Sequence, residues 1–230
     1  MMLSDVMEDY LKAIYYLQGE DEEGERIRTS AIADHLDVTS PTVTSMLEKL
    51  EDRGLVDREK YKGVRLTDEG ETVALEVLRH HRLLEAYLTE HLDYDWSEVH
   101  DEADRLEHHI SEKFERRLAD ILDDPEVDPH GDPIPNEQLE PPAAEVGIPL
   151  TEYDPDDRVA VARIEDGDPE ILRYLAERGI EPGAVLEVVD VAPFGVVTVR
   201  AATASDTCAL PEDVAGEVLV TSVVEEIEGA

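Results

Sequence analysis

The stretch from His100 to Ile110 reads HDEADRLEHHI and concentrates imidazole and carboxylate side chains in a short space. Imidazole nitrogen and carboxylate oxygen are common ligands of first-row divalent metals. On an α-helix, which turns by about 100° per residue, four of these side chains share one arc. They are His100, Asp104, Glu107 and His108. The spacing indicates a metal site, and a solvated acidic face is the alternative because carboxylates are abundant along the whole chain.

The abundance of acids is the dominant feature of the composition. Asp and Glu number 58 against 20 Lys and Arg, which gives a formal net charge of −38. Self-repulsion at this charge disfavours a compact chain in dilute salt, whereas molar salt shortens the Debye length to about 3 Å and screens it. The composition therefore predicts a halophilic protein, and the charge describes its solvent rather than a basic partner.

Length and cysteine content restrict the class of protein. A chain of 230 residues with 41% hydrophobic residues can bury a core in one large domain or in two to three small ones. The lone Cys208 excludes an intramolecular disulfide and fits a reducing compartment. The beginning of the chain, MMLSDVMEDYLKAIYYL, lacks the basic leader of a secretory signal. No apolar run approaches the roughly 20 residues of a membrane span, so we expect a cytoplasmic protein without a membrane partner.

One region departs from the acidic pattern. Residues 38–65 hold six cations and five anions, and they follow the segment TSAIADHL. That segment and DVTSPTVTSMLEKLEDRG read as two short helices joined by a turn of three to four residues, with Thr39 or Ser40 as the cap of the second helix. LVDREKYKGVRLT then alternates like a two-stranded ribbon that turns at Lys62 and Gly63. The pattern predicts a winged helix-turn-helix in residues 1–70.

This helix pair favours binding to DNA, although a helix pair without that role is the alternative. Short polar side chains on the second helix can approach base edges or phosphates, and cations on the wing can reach the phosphate backbone. The candidate DNA-contacting residues are Thr39, Ser40, Pro41, Thr42, Thr44, Ser45, Lys60, Lys62 and Arg65.

The remaining two thirds of the sequence predict a helical region followed by a β-rich region. Amphipathic helices in residues 71–140 have wider apolar faces than the preceding domain needs, which predicts pairing with a second copy as a homodimer. Residues 141–157 read as a proline-rich linker. Residues 158–230 read as short strands with one helix that begins after Asp168, and they predict a small β-barrel. The expected fold class is mainly α with a C-terminal all-β module.

Several ordered motifs together resemble the diphtheria-toxin-repressor family of metal-dependent transcriptional repressors, including its manganese-responsive branch. They are VMEDYLKAIYYL, TSPTVTSMLEKLEDRGLV, YKGVRLTDEG, RHHRLLE, VHDEADRLEHHISEKFERRL and HGDPIPNE. The resemblance implies a winged helix-turn-helix, a helical dimerisation domain with two metal sites per subunit, and an SH3-like (FeoA-like) barrel. It also implies a regulator rather than an enzyme, one that binds a double-stranded DNA operator and represses metal-ion uptake genes.

The resemblance also assigns metal ligands residue by residue. The primary site would consist of Asp9, Asp104, Glu107 and His108. The ancillary site would consist of His81, Glu85 and His100, to which Asp168 and Glu170 of the barrel are possible additions. For these last two residues, a helix cap and a surface charge are the alternative interpretation. His80 and His109 are expected to face solvent.

The choice of metal follows from two positions at which this chain differs from the iron-type members of the family. Iron-type members of the family carry a thioether and a thiol where this chain has Asp9 and Asp104, and carboxylate oxygen with one imidazole suits Mn²⁺. Mn²⁺ is therefore the expected metal and Fe²⁺ the alternative. Lys12 stands where manganese-type members have a further carboxylate, which argues against a copied cluster of two manganese ions.

Two other classes of function compete with this interpretation. A metallohydrolase would use the same ligands with an open coordination position and a general base, but the chain has no HExxH motif and the helix-turn-helix would have no role. A metal-independent winged-helix regulator would leave the histidine-rich helix as a solvated face. Titration with metal distinguishes the latter from a metal-dependent regulator.

Overall fold

The computed structural model describes residues 3–20, 26–140, 147–165 and 168–223. It divides into two compact units, each with its own hydrophobic core. The first unit comprises Met1–His81, Asp104–Glu115 and Pro135–Pro141. The second unit comprises Arg82–Ala103, Arg116–Ile134 and Pro142–Ala230.

The first unit begins with three helices and a two-stranded antiparallel ribbon, which confirms the predicted winged helix-turn-helix. These elements are α1 (Asp5–Glu20), α2 (Thr29–His35), α3 (Ser40–Glu51), β1 (Val56–Glu59) and β2 (Gly63–Leu66). The four-residue turn between α2 and α3 contains Asp37 in the left-handed region, with φ of 49°. Such a turn sets two short helices at the angle that lets the second one face outward.

Helical spacing explains the packing of this unit. On α3, Val43, Leu47 and Leu50 recur at four and three residues and are fully buried. Leu11 and Ile14 of α1 belong to the same core. Gln18 also accepts a hydrogen bond of 2.9 Å from the backbone N–H of Leu66, which ties α1 to the wing. The first helix is thus an integral part of the helix-turn-helix head.

The wing and the cap of α3 differ in detail from the expectation. Thr39 is the N-cap residue but makes no side-chain capping bond, and its hydroxyl lies 2.8 Å from that of Thr42. The ribbon turns at residues 60–62, where Tyr61 has φ of 68°, and not at Lys62 and Gly63. Gly63 is the first residue of β2. A Cβ at this position would lie 2.4 Å from the carbonyl oxygen of Ile27. The glycine serves both this close backbone approach and the positive φ of 114° at this position.

Helices continue after the wing. They are α4 (Asp68–Leu92), α5 (Val99–Leu106) and α6 (Glu112–Ile121), and a short 3₁₀ helix, Glu107–His109, follows α5. The expected single α-helical arc from His100 to His108 is therefore interrupted, because α5 ends at Leu106. The tighter 3₁₀ turn changes the directions of Glu107 and His108 relative to those on an α-helix.

The second unit contains a six-stranded antiparallel sheet with the order β3-β8-β4-β5-β6-β7. Its strands are β3 (Ile148–Pro149), β4 (Arg158–Ile164), β5 (Val185–Val191), β6 (Val197–Ala201), β7 (Cys208–Leu210) and β8 (Val218–Ser222). Two short helices, α7 (Pro169–Ala176) and α8 (Glu212–Glu217), complete it. The prediction of a C-terminal all-β-type module is confirmed.

The expected closed barrel is replaced by an open sheet in the described part of the chain. No pairing there joins the outer strands β3 and β7, which have only two and three residues. Alternate residues of the central strands, such as Val159, Val161 and Leu186, are buried in the core of this unit. The sheet thus buries one face as an SH3-like module does, but its edges stay separate.

The sheet begins earlier in the chain than the sequence suggests. Ile148 and Pro149 pair with Val220 and Leu219, although they lie within the expected linker 141–157. Residues 141–146 of that linker lie outside the described residues. No helix in the described part of the chain combines the length and the hydrophobicity of a membrane span.

Candidate metal centres and nucleic-acid interface

A first cluster of possible metal ligands lies in the first unit and consists of Asp9, Glu107 and His108, hereafter the His108 group. One ligand atom from each residue lies within 4.8 Å of the others. His108 Nε2 is 2.9 Å from Asp9 Oδ1 and 3.4 Å from Glu107 Oε1. Two carboxylates with one imidazole form a donor set that fits a hard or borderline divalent cation.

The two faces of α1 bring these residues together. Leu11 and Ile14 on the apolar face pack into the core, while Asp9 and Glu8 point toward His108. Glu8 Oε2 lies 2.7 Å from His108 Nδ1, so both ring nitrogens of His108 face carboxylates of α1. The sequence reasoning missed Glu8, and the available signal was the pair of consecutive acids in VMEDYL.

The surroundings of His108 favour its protonated form. The hydrogen bond that the ring donates to Asp9 contributes most to a rise in the pKa of His108 to about 9. The bond to Glu8 and the charges of Glu107 and Asp9 also raise this pKa, and burial opposes them. Without a metal, this imidazolium donates to the carboxylates of α1. A metal ligand must be the deprotonated ring, so binding of a cation has to release the proton.

Binding of Mn²⁺ to the His108 group should consequently strengthen as pH rises. Below a pKa of about 9 the proton competes with the ion, and the affinity should increase about tenfold per pH unit up to that value and then level off. Titrations under anaerobic conditions with a pH indicator should detect about one proton released per ion at neutral pH. In the His108→Gln variant, this release of a proton on metal binding should be absent. Equal affinity at neutral pH and at pH 9 would contradict the expectation.

Asp104 departs from the expected primary site. Its Oδ1 lies 2.9 Å from Lys12 Nζ and 3.2 Å from His81 Nδ1. Lys12 Nζ also lies 2.9 Å from each carboxylate oxygen of Glu107. Asp104 thus contacts Lys12 and His81, while Asp9, Glu107 and His108 form a separate metal-compatible group among the described residues. The four-residue primary set stays a prediction. Burial alone would lower the pKa of Lys12, but Glu107 and Asp104 raise it above its ordinary value.

The structure places His81 in the first unit, next to Glu107. The ring, which is buried, is 2.6 Å from Glu107 Oε2 through Nδ1. It therefore contacts the first cluster within the first unit. Glu85 and His100, its expected ancillary partners, belong to the second unit, where Glu85 Oε1 is 3.2 Å from His100 Nδ1. The ancillary trio as a whole stays a prediction.

A second cluster lies in the second unit and consists of Glu85, Asp128 and His130, hereafter the His130 group. Its ligand atoms lie within 4.8 Å of one another, and all three side chains are buried. Burial, followed by the charges of Glu85 and Asp132, raises the pKa of Asp128 to about 8, against the effects of Arg82 and His130. A cation bound at this cluster would offset the negative charge of the buried carboxylates of Glu85 and Asp128.

A tight turn fixes two members of the His130 group. Asp128 Oδ1 accepts hydrogen bonds from the backbone N–H groups of His130 at 2.8 Å and Asp132 at 2.9 Å. Gly131 has φ of 87°, and a Cβ there would lie 2.1 Å from the carbonyl oxygen of Ala162. The turn therefore packs directly on β4. His130 begins the HGDPIPNE motif, but the sequence pattern predicts no ligand role for Asp128 or His130.

The two candidate ligands from the C-terminal module, together with His80 and His109, lie outside both clusters. Asp168 caps α7 by accepting a hydrogen bond of 2.8 Å from the N–H of Glu170, and both residues are exposed. Neither belongs to a metal-compatible cluster among the residues that the structure describes. His109 is exposed as expected, but His80 is buried, with Nδ1 3.1 Å from the carbonyl oxygen of Glu107. The prediction that His80 faces solvent is wrong, because the ring packs against the 3₁₀ helix.

The candidate DNA-contacting residues lie on the surface of the first unit. On α3 and its cap, Thr39, Ser40, Pro41, Thr42 and Ser45 are exposed. Thr44 is half-buried, and its hydroxyl donates to the carbonyl oxygen of Ser40 at 3.0 Å. The first turn of α3 thus presents several short polar groups at the surface.

The cations of the wing are largely paired with neighbouring acids. Lys62 Nζ lies 2.6 Å from Glu59, and Arg65 lies 3.1 Å from Asp57. Lys60 Nζ lies 5.0 Å from the ring centroid of Tyr61, which is 93% exposed at the tip of the wing. A groove of about 680 Å³ separates the wing from α3. Tyr61 was missed by the sequence reasoning, although an aromatic residue between two lysines was the available signal.

Three family models match successive parts of the chain. An iron-dependent repressor N-terminal DNA-binding domain matches residues 2–64. An iron-dependent repressor metal-binding and dimerisation domain matches residues 67–136, and a FeoA domain matches residues 148–222.

Curated relatives and solved structures agree with these matches. The chain is 35% identical to the iron-dependent repressor IdeR of Mycobacterium tuberculosis over 96% of this chain and 99% of the relative. It is 35% identical to the diphtheria toxin repressor of Corynebacterium glutamicum, over 82% of this chain and 85% of that protein. A manganese-dependent transcriptional repressor in complex with manganese has a TM-score of 0.84 and 37% identity, with 94% of this chain and all of that one covered.

Proposed function

Because the chain belongs to the family of metal-dependent repressors that includes IdeR and the diphtheria toxin repressor, we propose that it represses transcription by binding operator DNA in response to a divalent metal. The observation that carries the proposal is the His108 group. It connects the polar face of α1 to the 3₁₀ helix, while the apolar face of α1 packs in the helix-turn-helix head.

The two faces of α1 suggest how the signal would pass. Without a metal, protonated His108 donates to Asp9, whereas a bound divalent ion would replace that proton and be shared by Asp9, Glu107 and His108. Once Asp9 is held, Leu11 and Ile14 hold the head to which they are packed. The ion thus favours one arrangement of α3, and DNA binding in turn tightens metal binding by the same factor.

We propose that the active form is a homodimer on double-stranded DNA. Phe114 and Ile121 lie seven residues apart on α6 and are 47% and 53% exposed, so they share an apolar face that a second copy could cover. Two recognition helices in a dimer would enter successive major grooves, about 34 Å apart. The exposed turn of α3 from Thr39 to Ser45 would read bases, and the wing would contact phosphates.

The donors favour Mn²⁺, and Fe²⁺ is the alternative. Both the His108 group and the His130 group offer carboxylate oxygen and imidazole nitrogen without sulfur, and oxygen-rich sets suit Mn²⁺. We therefore propose two sites per subunit, the second at the His130 group, which shares Glu85 with the ancillary set that the resemblance implies. The regulated genes would be those for metal-ion uptake, because repression at high metal concentration then limits further uptake.

The test is selection of an operator from random double-stranded DNA, followed by titration of the complex. Binding should require Mn²⁺ or Fe²⁺, with Mn²⁺ at least as effective, and chelator should reverse it. Anaerobic fluorescence anisotropy in KCl measures the affinity for each ion. Chelator-insensitive binding would instead identify a metal-independent winged-helix regulator, and activation by Fe²⁺ alone would assign iron as the metal.

A further inference from the structure

Lys12 occupies a position next to the His108 group that has the character of a cation site. Its side chain is 13% exposed. The ammonium nitrogen lies 2.9 Å from Asp104 Oδ1, 2.9 Å from both oxygens of Glu107, and 3.5 Å from His81 Nδ1. An ammonium group has three N–H donors, and three carboxylate oxygens surround it here at hydrogen-bonding distance.

Glu107 contacts both Lys12 and His108. Its Oε1 lies 2.9 Å from Lys12 Nζ and 3.4 Å from His108 Nε2. The side chain is only 1% exposed, so solvent does little to screen its charge. One buried carboxylate is therefore shared between the His108 group and the Lys12 corner, which is defined as Lys12, His81, Asp104 and Glu107.

We propose that the Lys12 ammonium is a fixed internal cation that fills one half of a two-cation centre, so that the first unit takes a single exchangeable divalent ion at the His108 group. This inference rests on the proposed metal-dependent function. Four carboxylates line the two halves, from Glu8, Asp9, Asp104 and Glu107. One ammonium and one divalent ion offset most of that charge.

Distances and tethering explain why Lys12 would exclude a second ion. Contacts of 2.9 Å are hydrogen-bond lengths, whereas a small divalent ion such as Mg²⁺ requires oxygens at about 2.0–2.1 Å. A divalent ion in this corner would have to displace the ammonium group and draw the oxygens inward. Because Lys12 is part of the chain, the corner is filled at every metal concentration, and within this two-cation centre only the His108 group responds to metal.

The count of bound ions tests the inference directly. Lys12→Gln removes the internal charge and should bind one more Mn²⁺ per chain than the wild type in anaerobic equilibrium dialysis followed by metal analysis. Lys12→Arg keeps the charge and should retain the wild-type count. Lys113→Gln, which changes an exposed lysine, is the matched control and should also retain it. The metal-free Lys12→Gln protein should melt at a lower temperature than the wild type, and Mn²⁺ should raise its melting temperature by more.

A measurement on the wild type serves as a second test, which does not depend on the folding of a variant. Electron paramagnetic resonance at excess Mn²⁺ should give signals of isolated ions. An exchange-coupled pair, typical of ions about 3.5–4 Å apart, would overturn the inference, as would an unchanged or reduced count in folded Lys12→Gln. Either result leaves the proposed function intact if the wild type still binds operator only with metal. Metal-independent operator binding would refute the proposed function itself.

Discussion

Replacement of Glu107 by glutamine is expected to abolish metal-dependent operator binding. The carboxylate is a member of the His108 group and also accepts hydrogen bonds from Lys12 and His81. Changes to groups that merely orient metal ligands typically lower metal affinity by about 10- to 100-fold, so loss of a ligand should lower it by more than about 100-fold. The metal-free protein should also lose roughly 3 kcal/mol of unfolding free energy, because a buried ion pair is broken.

The comparison needs a glutamate outside the cluster. Glu90→Gln changes an exposed residue of α4 and should leave Mn²⁺ affinity and operator binding unaltered. Isothermal titration with Mn²⁺, chemical denaturation, and anisotropy with labelled operator measure the three effects on both variants. Wild-type operator affinity in folded Glu107→Gln at limiting Mn²⁺ would remove the His108 group from the regulatory role.

The second large effect concerns salt. Operator affinity should vary by less than about 100-fold between about 0.1 and 1 M KCl, whereas a basic DNA-binding protein with six phosphate contacts already loses about 10³-fold between 50 and 200 mM salt. Two structural facts support the shallow dependence. The net charge of −38 repels the duplex until salt screens it. In addition, Lys62 and Arg65 already neutralise Glu59 and Asp57, so fewer cations can replace counterions on the DNA.

The measurement is a titration of operator affinity from about 0.1 to 3 M KCl at saturating Mn²⁺, with circular dichroism at each salt concentration to record folding. Potassium glutamate in place of KCl separates anion effects from screening. A steep, continuous fall of affinity with a fully folded protein would mean that the wing makes many phosphate contacts, and it would exclude the halophilic interpretation of the composition.

The sequence alone predicts those helices and strands whose formation depends on the local spacing of apolar residues. Val43, Leu47 and Leu50 define the buried face of α3 by their spacing alone, and the alternation around Val56 and Val64 predicts the wing. These patterns work because burial of a regularly spaced apolar face decides the type of element. The position of the wing turn was less predictable, because the contact of Gly63 with Ile27 is a tertiary one.

The details of the metal clusters depend on contacts that no local pattern contains. Lys12 and Glu107 are 95 positions apart, and only the folded chain places the ammonium beside the carboxylate. An uninterrupted α-helix would place Asp104 and His108 on one arc, but α5 ends at Leu106, and the two residues face different partners. Asp128 and His130 come from a turn, where side-chain direction follows backbone geometry that hydrophobic spacing does not encode.

The contact between Trp96 and His130 gives this protein a built-in optical probe. Trp96 is the one tryptophan of the chain; its ring centroid lies 5.4 Å from that of His130, and its carbonyl oxygen lies 2.8 Å from His130 Nε2. Indole emission is quenched by a protonated imidazole nearby and by paramagnetic ions such as Mn²⁺. Tryptophan fluorescence therefore reports on the His130 group without a label.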